Sequence, residues 1–173
     1  MKKPSKPTGA GTIRELFDRH AGAVYGYLLR LSGDRAVADE LTNETFLRAM
    51  LALDGFRGDS SVKTWLLRIA RNLYLNRAKK EKRLTSLDAL LEQGAIFSAG
   101  QPGPEDRALA REQGESLQRA LLALSEADRS ILLLATQEKL SYKEIARVLD
   151  ISVAAVKVRI FRARQRLARA IDT

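Results

Sequence analysis

Apolar residues recur at intervals of three and four along most of the chain. No stretch of convincing length alternates in the manner of a strand, so the pattern predicts an all-α protein. A first helix starts near Thr12, with Ile13, Leu16, Phe17, His20, Val24, Tyr27, Leu28 and Leu31 on one face and Ser32-Gly33 as its stop. A second helix fits Asp34 to Leu53, where Ala38, Leu41, Thr42, Thr45, Phe46, Ala49 and Leu53 form the inward stripe. Its other side carries Asp39, Glu40, Asn43, Glu44, Leu47, Arg48 and Leu51. Leucines among acids on such a face fit either a protein contact or scattered exposed leucines. The stretch Asp54 to Ser60 breaks the helix with two glycines while presenting Phe56 and Arg57, and Ser60 or Ser61 can cap the next helix. That third helix, Ser61 to about Lys82, turns Val62, Trp65, Leu66, Ile69, Ala70 and Leu73 inward. Lys63, Arg68, Arg71, Asn72, Tyr74, Lys79 and Lys82 fall on the opposite arc.

From Leu84 to about Pro104 the periodicity dissolves into Gln93-Gly94, Ser98, Gly100 and Pro102-Gly103-Pro104, the chemistry of a flexible linker. Helical spacing resumes from Pro104 to Leu124, with Leu109, Leu117, Leu121 and Leu124, and again from Ser125 to about Lys139. The last stretch is the most specific. Ser141 can cap a short helix to Leu149, with Glu144 completing a capping box, Asp150-Ile151 makes a turn, and Ser152 can cap a longer helix to about Ala170. Ile145, Ala146 and Leu149 face inward on the short helix, and Val153, Val156, Ile160, Ala163 and Leu167 on the long one. The small Ala146 lets the two helices cross closely, as in a helix-turn-helix. The outward face of the long helix carries Ser152, Ala154, Ala155, Lys157, Val158, Arg159, Arg162 and Arg166. Short residues at its start can enter a major groove while the cations reach phosphates or base edges; a basic solvated helix or an RNA-binding one is the alternative.

Composition narrows the function. The net charge of +9 suits a polyanionic partner. It is concentrated in two blocks: residues 1–83 hold 17 Lys+Arg against 9 Asp+Glu and residues 120–173 hold 10 against 6, whereas residues 84–119 hold 3 against 6. There is no cysteine, a single histidine (His20, on a core-facing stripe), no phosphate-binding or dinucleotide glycine pattern and no carboxylate pair where burial is expected. The expectation is a protein without metal, cofactor or catalytic site. The first eleven residues, rich in Lys, Pro and Gly, read as a disordered basic arm and not as a signal peptide. The longest apolar run, Ile131 to Ala135, is far short of the roughly 20 residues that cross a membrane, and a cytoplasmic location is expected.

The segments ADELTNETFLRAM (38–50) and FRGDSSVKTWLLRIARN (56–72), the Pro104-Glu105 boundary and LSYKEIARVLDISVAAVKVRIFRARQRL resemble, in order and spacing, the extracytoplasmic-function (ECF) sigma factors of bacterial RNA polymerase. The resemblance runs from about Ile13 to Leu167. It implies two small helical domains, region two over 12–83 and region four over 105–173, joined by a linker over 84–104. It implies that Asp39, Glu40, Asn43, Glu44, Leu47 and Arg48 bind the polymerase core, through a coiled coil of the beta-prime subunit. It implies that the loop with Phe56, Arg57, Asp59 and Ser60 captures an unstacked base of the promoter's -10 element. Lys63, Arg68, Arg71, Asn72 and Lys79 would hold the opened backbone, and the Ser152 helix would read the -35 element as duplex. By the same resemblance the acidic linker would follow the polymerase's RNA path, and an anti-sigma factor is an expected partner alongside core polymerase (beta-prime and beta) and promoter DNA. Three departures limit the carry-over: Asn43, where the family often has Gln, bears on one polymerase contact; Asn76, where it has Asp, on a charge that commonly ends the basic helix; and Ala154-Ala155, where it has Gly-Thr, on promoter preference.

Overall fold

The structure is a computed structural model in which residues 10–89 and 108–171 are described. Most of the expected basic arm, most of the linker with Pro104-Glu105, and the side chain of Leu109 lie outside the described residues. Seven α-helices and one 3-10 turn, and no strand, make up the described residues. They are α1 (Ala10–Ser32), α2 (Arg35–Ala52), the 3-10 turn Leu53–Gly55, α3 (Val62–Ala89), α4 (Ala108–Ala123), α5 (Glu126–Thr136), α6 (Tyr142–Leu149) and α7 (Val153–Ile171).

Local chemistry accounts for the boundaries. α1 stops where Gly33 takes a positive φ of 73°, its N–H donating to Leu29 O at 2.8 Å. Asp34 then caps α2, its carboxylate accepting from the N–H groups of Ala36 at 2.7 Å and Val37 at 3.2 Å. Ser61, and not Ser60, caps α3: its hydroxyl accepts from Thr64 N–H at 3.1 Å. α3 runs on to Ala89, beyond Leu84 where the composition turns towards a linker.

α1, α2 and α3 pack on one another, and α4 to α7 form a second group. The two groups share one continuous apolar core, in which Val24, Tyr27, Leu28, Leu31, Leu66 and Leu67 meet Ile131, Leu134, Ile145 and Val148. Within α2 the buried Thr42 and Thr45 hydroxyls donate to Ala38 O at 2.7 Å and Leu41 O at 2.6 Å, so two polar residues enter the core without an unpaired group.

Arg129 ties the groups together. It lies almost wholly buried, and its guanidinium donates to Leu121 O at 2.9 Å, Leu122 O at 3.1 Å, Leu124 O at 3.0 Å and Leu31 O. The first three acceptors are carbonyls at and just past the end of α4, of which Leu121 O also accepts from Leu124 N–H at 3.1 Å; the fourth lies at the end of α1.

Several packing details differ from the sequence reading. Phe56 is buried against Trp65, ring centroids 4.8 Å apart, so the loop does not present it. Val153, read as inward, is exposed because it opens the first turn of α7, ahead of the crossing with α6. Phe17 is partly exposed, meeting only the edge of Phe46 at 4.8 Å. Asp128 and Glu138 are buried carboxylates that the residue pattern did not flag, and each is paired with a cation.

Replacing Arg129 with Met keeps the volume and removes every donor. Each carbonyl left dry costs about 1–3 kcal/mol, so Arg129→Met is expected to lose roughly 3 kcal/mol or more of unfolding free energy, read by urea denaturation followed by circular dichroism.

Candidate nucleic-acid and polymerase interface

The outer face of α2 is a strip of mixed character. Asp39, Glu40, Asn43, Leu47 and Arg48 are exposed and Glu44 is half-buried. Leu47, Met50 and Leu51 stand 50%, 47% and 77% exposed, too close together to be scattered surface leucines. Glu44 pairs with Arg48 at 2.8 Å and Glu40 with Arg77 of α3 at 2.5 Å. Glu40, more than Glu81, holds the Arg77 guanidinium's proton above its ordinary affinity. Exposed pairs of this kind contribute little to stability. Their effect is to fix the acids at one edge of the apolar strip. Arg77 and Met50 were not singled out by the sequence, since neither stands out until the helices are crossed.

A cleft of about 440 Å³ opens between α2 and α3, lined by Arg48, Leu51, Ala52, Trp65, Ile69, Asn72, Leu73 and Asn76. It therefore joins the exposed strip of α2 to the stretch of α3 from Trp65 to Asn76. Around it Arg57, Asp59, Arg68, Asn72 and Lys79 are exposed, and Ser60 is half-exposed. The remaining two cations of the expected set are turned elsewhere. Lys63 forms an ion pair with Glu138 at 2.9 Å and also donates to its backbone carbonyl at 3.1 Å. Arg71 donates to the Ser130 hydroxyl at 3.1 Å, and its proton affinity is lowered by burial and, after a partial offset from Tyr27, by the neighbouring Arg159. The basic arc expected along α3 is thus interrupted by Ser130 of α5 and by Glu138 just past its end.

The helix-turn-helix is built as its caps foretell. The Ser141 hydroxyl accepts from Glu144 N–H at 3.2 Å, and Glu144 Oε2 accepts from Ser141 N–H at 2.8 Å. Asp150 adopts a left-handed conformation (φ 55°, ψ 50°), and Ile151 N–H closes on Ala146 O at 3.1 Å. Ser152 caps α7 by accepting from Ala155 N–H at 3.1 Å. Val156, Ile160 and Ala163 are buried. Ser152, Ala154, Lys157, Val158, Arg159, Arg162 and Arg166 are exposed, and Ala155 is half-buried. Arg166 is joined to Asp128 at 2.5 Å. Phe161, 62% exposed on the same outer surface, was missed by the sequence because an aromatic beside Ile160 reads as core.

Among the described residues no group of three or more His, Cys, Asp or Glu side chains could hold a metal ion, and no helix is long and apolar enough to cross a membrane.

Residues 16–84 match the family model of Sigma-70 region 2, and residues 114–167 that of Sigma-70 region 4. The chain is 34% identical to the ECF RNA polymerase sigma factor SigM of Bacillus subtilis over 157 residues, covering 90% of this chain and 93% of that protein. The chain belongs to the ECF sigma factors. It is a factor that directs transcription initiation at promoters, and its two domain types are those that engage core RNA polymerase and promoter DNA. Similarity extends to SigE of Mycolicibacterium smegmatis, 35% identical over 153 residues and 88% of this chain, although the chain spans only 59% of that relative's length. CnrH, solved in complex with the cytosolic domain of CnrY, is similar at a TM-score of 0.68 and 26% identity, covering 95% of this chain and 90% of that one. The sigma factor RpoE of Bartonella quintana, solved with the anti-sigma factor NepR, shares the fold at a TM-score of 0.72 and 24% identity, covering 92% and 96%.

The capping box gives this sigma factor a pH response. Burial raises the Glu144 carboxyl, but hydrogen bonds from Ser141 N–H, the Ser141 hydroxyl and the Thr64 hydroxyl, with the charge of Lys63, bring the net shift below the ordinary value. A depressed folded value means that the stabilisation is complete above the ordinary pKa of 4.5 and is lost as pH falls through the folded value. Glu144→Gln is therefore expected to lower stability at neutral pH by about 1 kcal/mol, a typical cap contribution. The gap to wild type should narrow as pH falls below 4.5 and through the depressed folded value, which denaturation at a series of pH values would read.

Proposed function

We propose that the exposed strip of α2, with Asp39, Glu40, Asn43, Glu44, Leu47 and Arg48, is the surface that seats the polymerase core. Exposed Leu51 and Met50 extend it. The observation that carries this reading is the coexistence, in one chain, of that acid-edged apolar strip and a capped helix-turn-helix with its cations outward. A lone DNA-binding module needs the second and has no use for the first.

In this reading Arg57, Asp59, Ser60, Arg68, Asn72 and Lys79, with Lys63 and Arg71 once they are free, hold the strand of the -10 element. Phe56 contributes from below, by stiffening the loop through Trp65. The helix from Ser152, with Ala154, Ala155, Lys157, Val158, Arg159, Arg162 and Arg166, reads the -35 element. Unstacking a base step costs a few kcal/mol, which capture of the displaced bases offsets, so this chain needs no catalytic group and acts as a non-enzymatic subunit. Its place of action is where polymerase and chromosome meet, the cytoplasm. The solved complex of the Bartonella RpoE with an anti-sigma factor supports a helical inhibitor as a further partner for this chain.

The test is reconstitution of purified chain with sigma-free core and a genomic pool of promoters. Initiation from a subset of promoters is the expected result, and failure to bind core overturns the reading. Binding without initiation on any sequence would mark an antagonist instead. Leu47→Asp should weaken core binding about tenfold or more, as loss of a buried leucine contact does. Arg159→Ala with Arg162→Ala should spare core binding and weaken binding to -35 duplex.

A further inference from the structure

The chain has no cysteine and two methionines, Met1 and Met50. Met50 lies in the last turn of α2, exposed, with Leu47 one turn before it and Leu51 beside it on the strip given to the polymerase core. Phe46 and Ala49 of the same helix are buried, whereas Met50 stands outside the apolar core. Its backbone carbonyl accepts from Leu53 N–H where the helix ends, and neither that bond nor the core involves the sulfur. The thioether can therefore change its chemistry without disturbing the fold that carries it. A methionine in the interior has no such freedom.

We propose that Met50 is an oxidation site through which peroxide controls the seating of this chain on core polymerase. The proposal rests on the assignment of the α2 strip to the core. A lone pair of the thioether sulfur attacks one oxygen of hydrogen peroxide; the S–O bond forms as the O–O bond breaks, sulfur is oxidised by two electrons, and the peroxide is reduced and leaves as water. The product carries one oxygen more than the thioether. That oxygen is a strong hydrogen-bond acceptor where an apolar surface stood.

In the free chain water satisfies the sulfoxide, so oxidation costs the unbound state little. Seating is different, because an apolar strip gains its affinity by leaving water. An acceptor carried into that contact without a donor keeps its full desolvation penalty. The neighbours of Met50 are poorly suited to relieve it. Leu47 and Leu51 are apolar, Asp54 one turn on is itself an acceptor, and Arg48 is turned to Glu44 at 2.8 Å.

The experiment uses the full chain. Purified wild type is treated with hydrogen peroxide, which catalase removes before core is added, so that the polymerase itself is never oxidised. Peptide mass spectrometry reads the added oxygen at Met50, and surface plasmon resonance reads the affinity for core before and after treatment. Full conversion is expected to weaken core binding about tenfold or more, the effect of one buried acceptor left unpaired, with helicity by circular dichroism unchanged. Methionine sulfoxide reductases A and B, one for each sulfoxide epimer, should restore the affinity. Met50→Leu removes the sulfur and keeps Met1, so it controls for oxidation there. Its sensitivity is the ratio of its own affinities before and after peroxide, in which any effect on basal seating cancels; the ratio should stay near one. In wild type already seated on core, with peroxide added afterwards and only Met50 read, oxidation should slow because the contact covers the sulfur.

The proposal is overturned if Met50 stays unoxidised where free methionine is converted, if full conversion leaves the affinity unchanged, or if the loss persists once Met50 is reduced again. An equal loss in Met50→Leu, a loss of helicity on oxidation, or equal oxidation with and without core overturns it as well. Failure of untreated wild type to bind core overturns the docking assignment instead, so the two failures are told apart.

Discussion

The arrangement of the helices depends on one buried cation. Arg129 has no carboxylate among its hydrogen-bond acceptors; its charge is spread over the carbonyls that end α4 and α1. A guanidinium suits this task because its planar fork offers several donors in fixed directions, which an ammonium does not. By closing α4's last turn it sets the angle at which α5 leaves, and by reaching Leu31 it places α5 against α1. Every other contact between the two regions, from Tyr27 with Ser130 to Lys63 with Glu138, presupposes that placement. The same residue thus organises region four internally and sets its resting position against region two.

Much of this was legible in the sequence, and the reason is local. Caps are short-range chemistry: Asp34, Ser141 with Glu144, and Ser152 announce their helices because their partners lie within three residues. The helix-turn-helix was readable for the same reason, as was the acid-edged leucine strip of α2, which needs only helical periodicity. The misread positions were those whose fate is decided by a distant element. Phe56 sits in a glycine-rich loop, and nothing near it foretells that Trp65, a turn into the next helix, will cover it. Lys63 and Arg71 lie on the arc opposite the core of their own helix; that arc is covered by region four, which a single-helix wheel cannot contain. Phe161, on which the residue pattern gave no reading, is an aromatic left in water by the register of α7.

The functional surfaces are arranged in sequence along region two. The exposed strip of α2 meets the cleft at Arg48 and Leu51, and the cleft continues along α3 to Asn72 and Asn76. On the proposed assignment, a subunit docked on α2 is held within reach of the residues given to the displaced strand, so that binding energy gained at one surface can orient the other. Region four packs against α3 as well, through Lys63 with Glu138 and Arg71 with Ser130.

The turn at Asp150 has a consequence of another kind. Its left-handed backbone favours glycine, asparagine or aspartate, and with the close passage of Ala146 it sets the angle between α6 and α7 from beneath the outer surface. The outer surface of α7 is correspondingly free to vary. Ala154, Ala155 and Val158 can be exchanged without disturbing the frame that carries them, because the frame is held by Val156, Ile160 and Ala163 beneath. On the proposed assignment of α7 to the -35 element, such a partition lets a lineage acquire a new set of target promoters by a few surface substitutions. The scaffold is then inherited unchanged while the vocabulary of the helix it presents drifts.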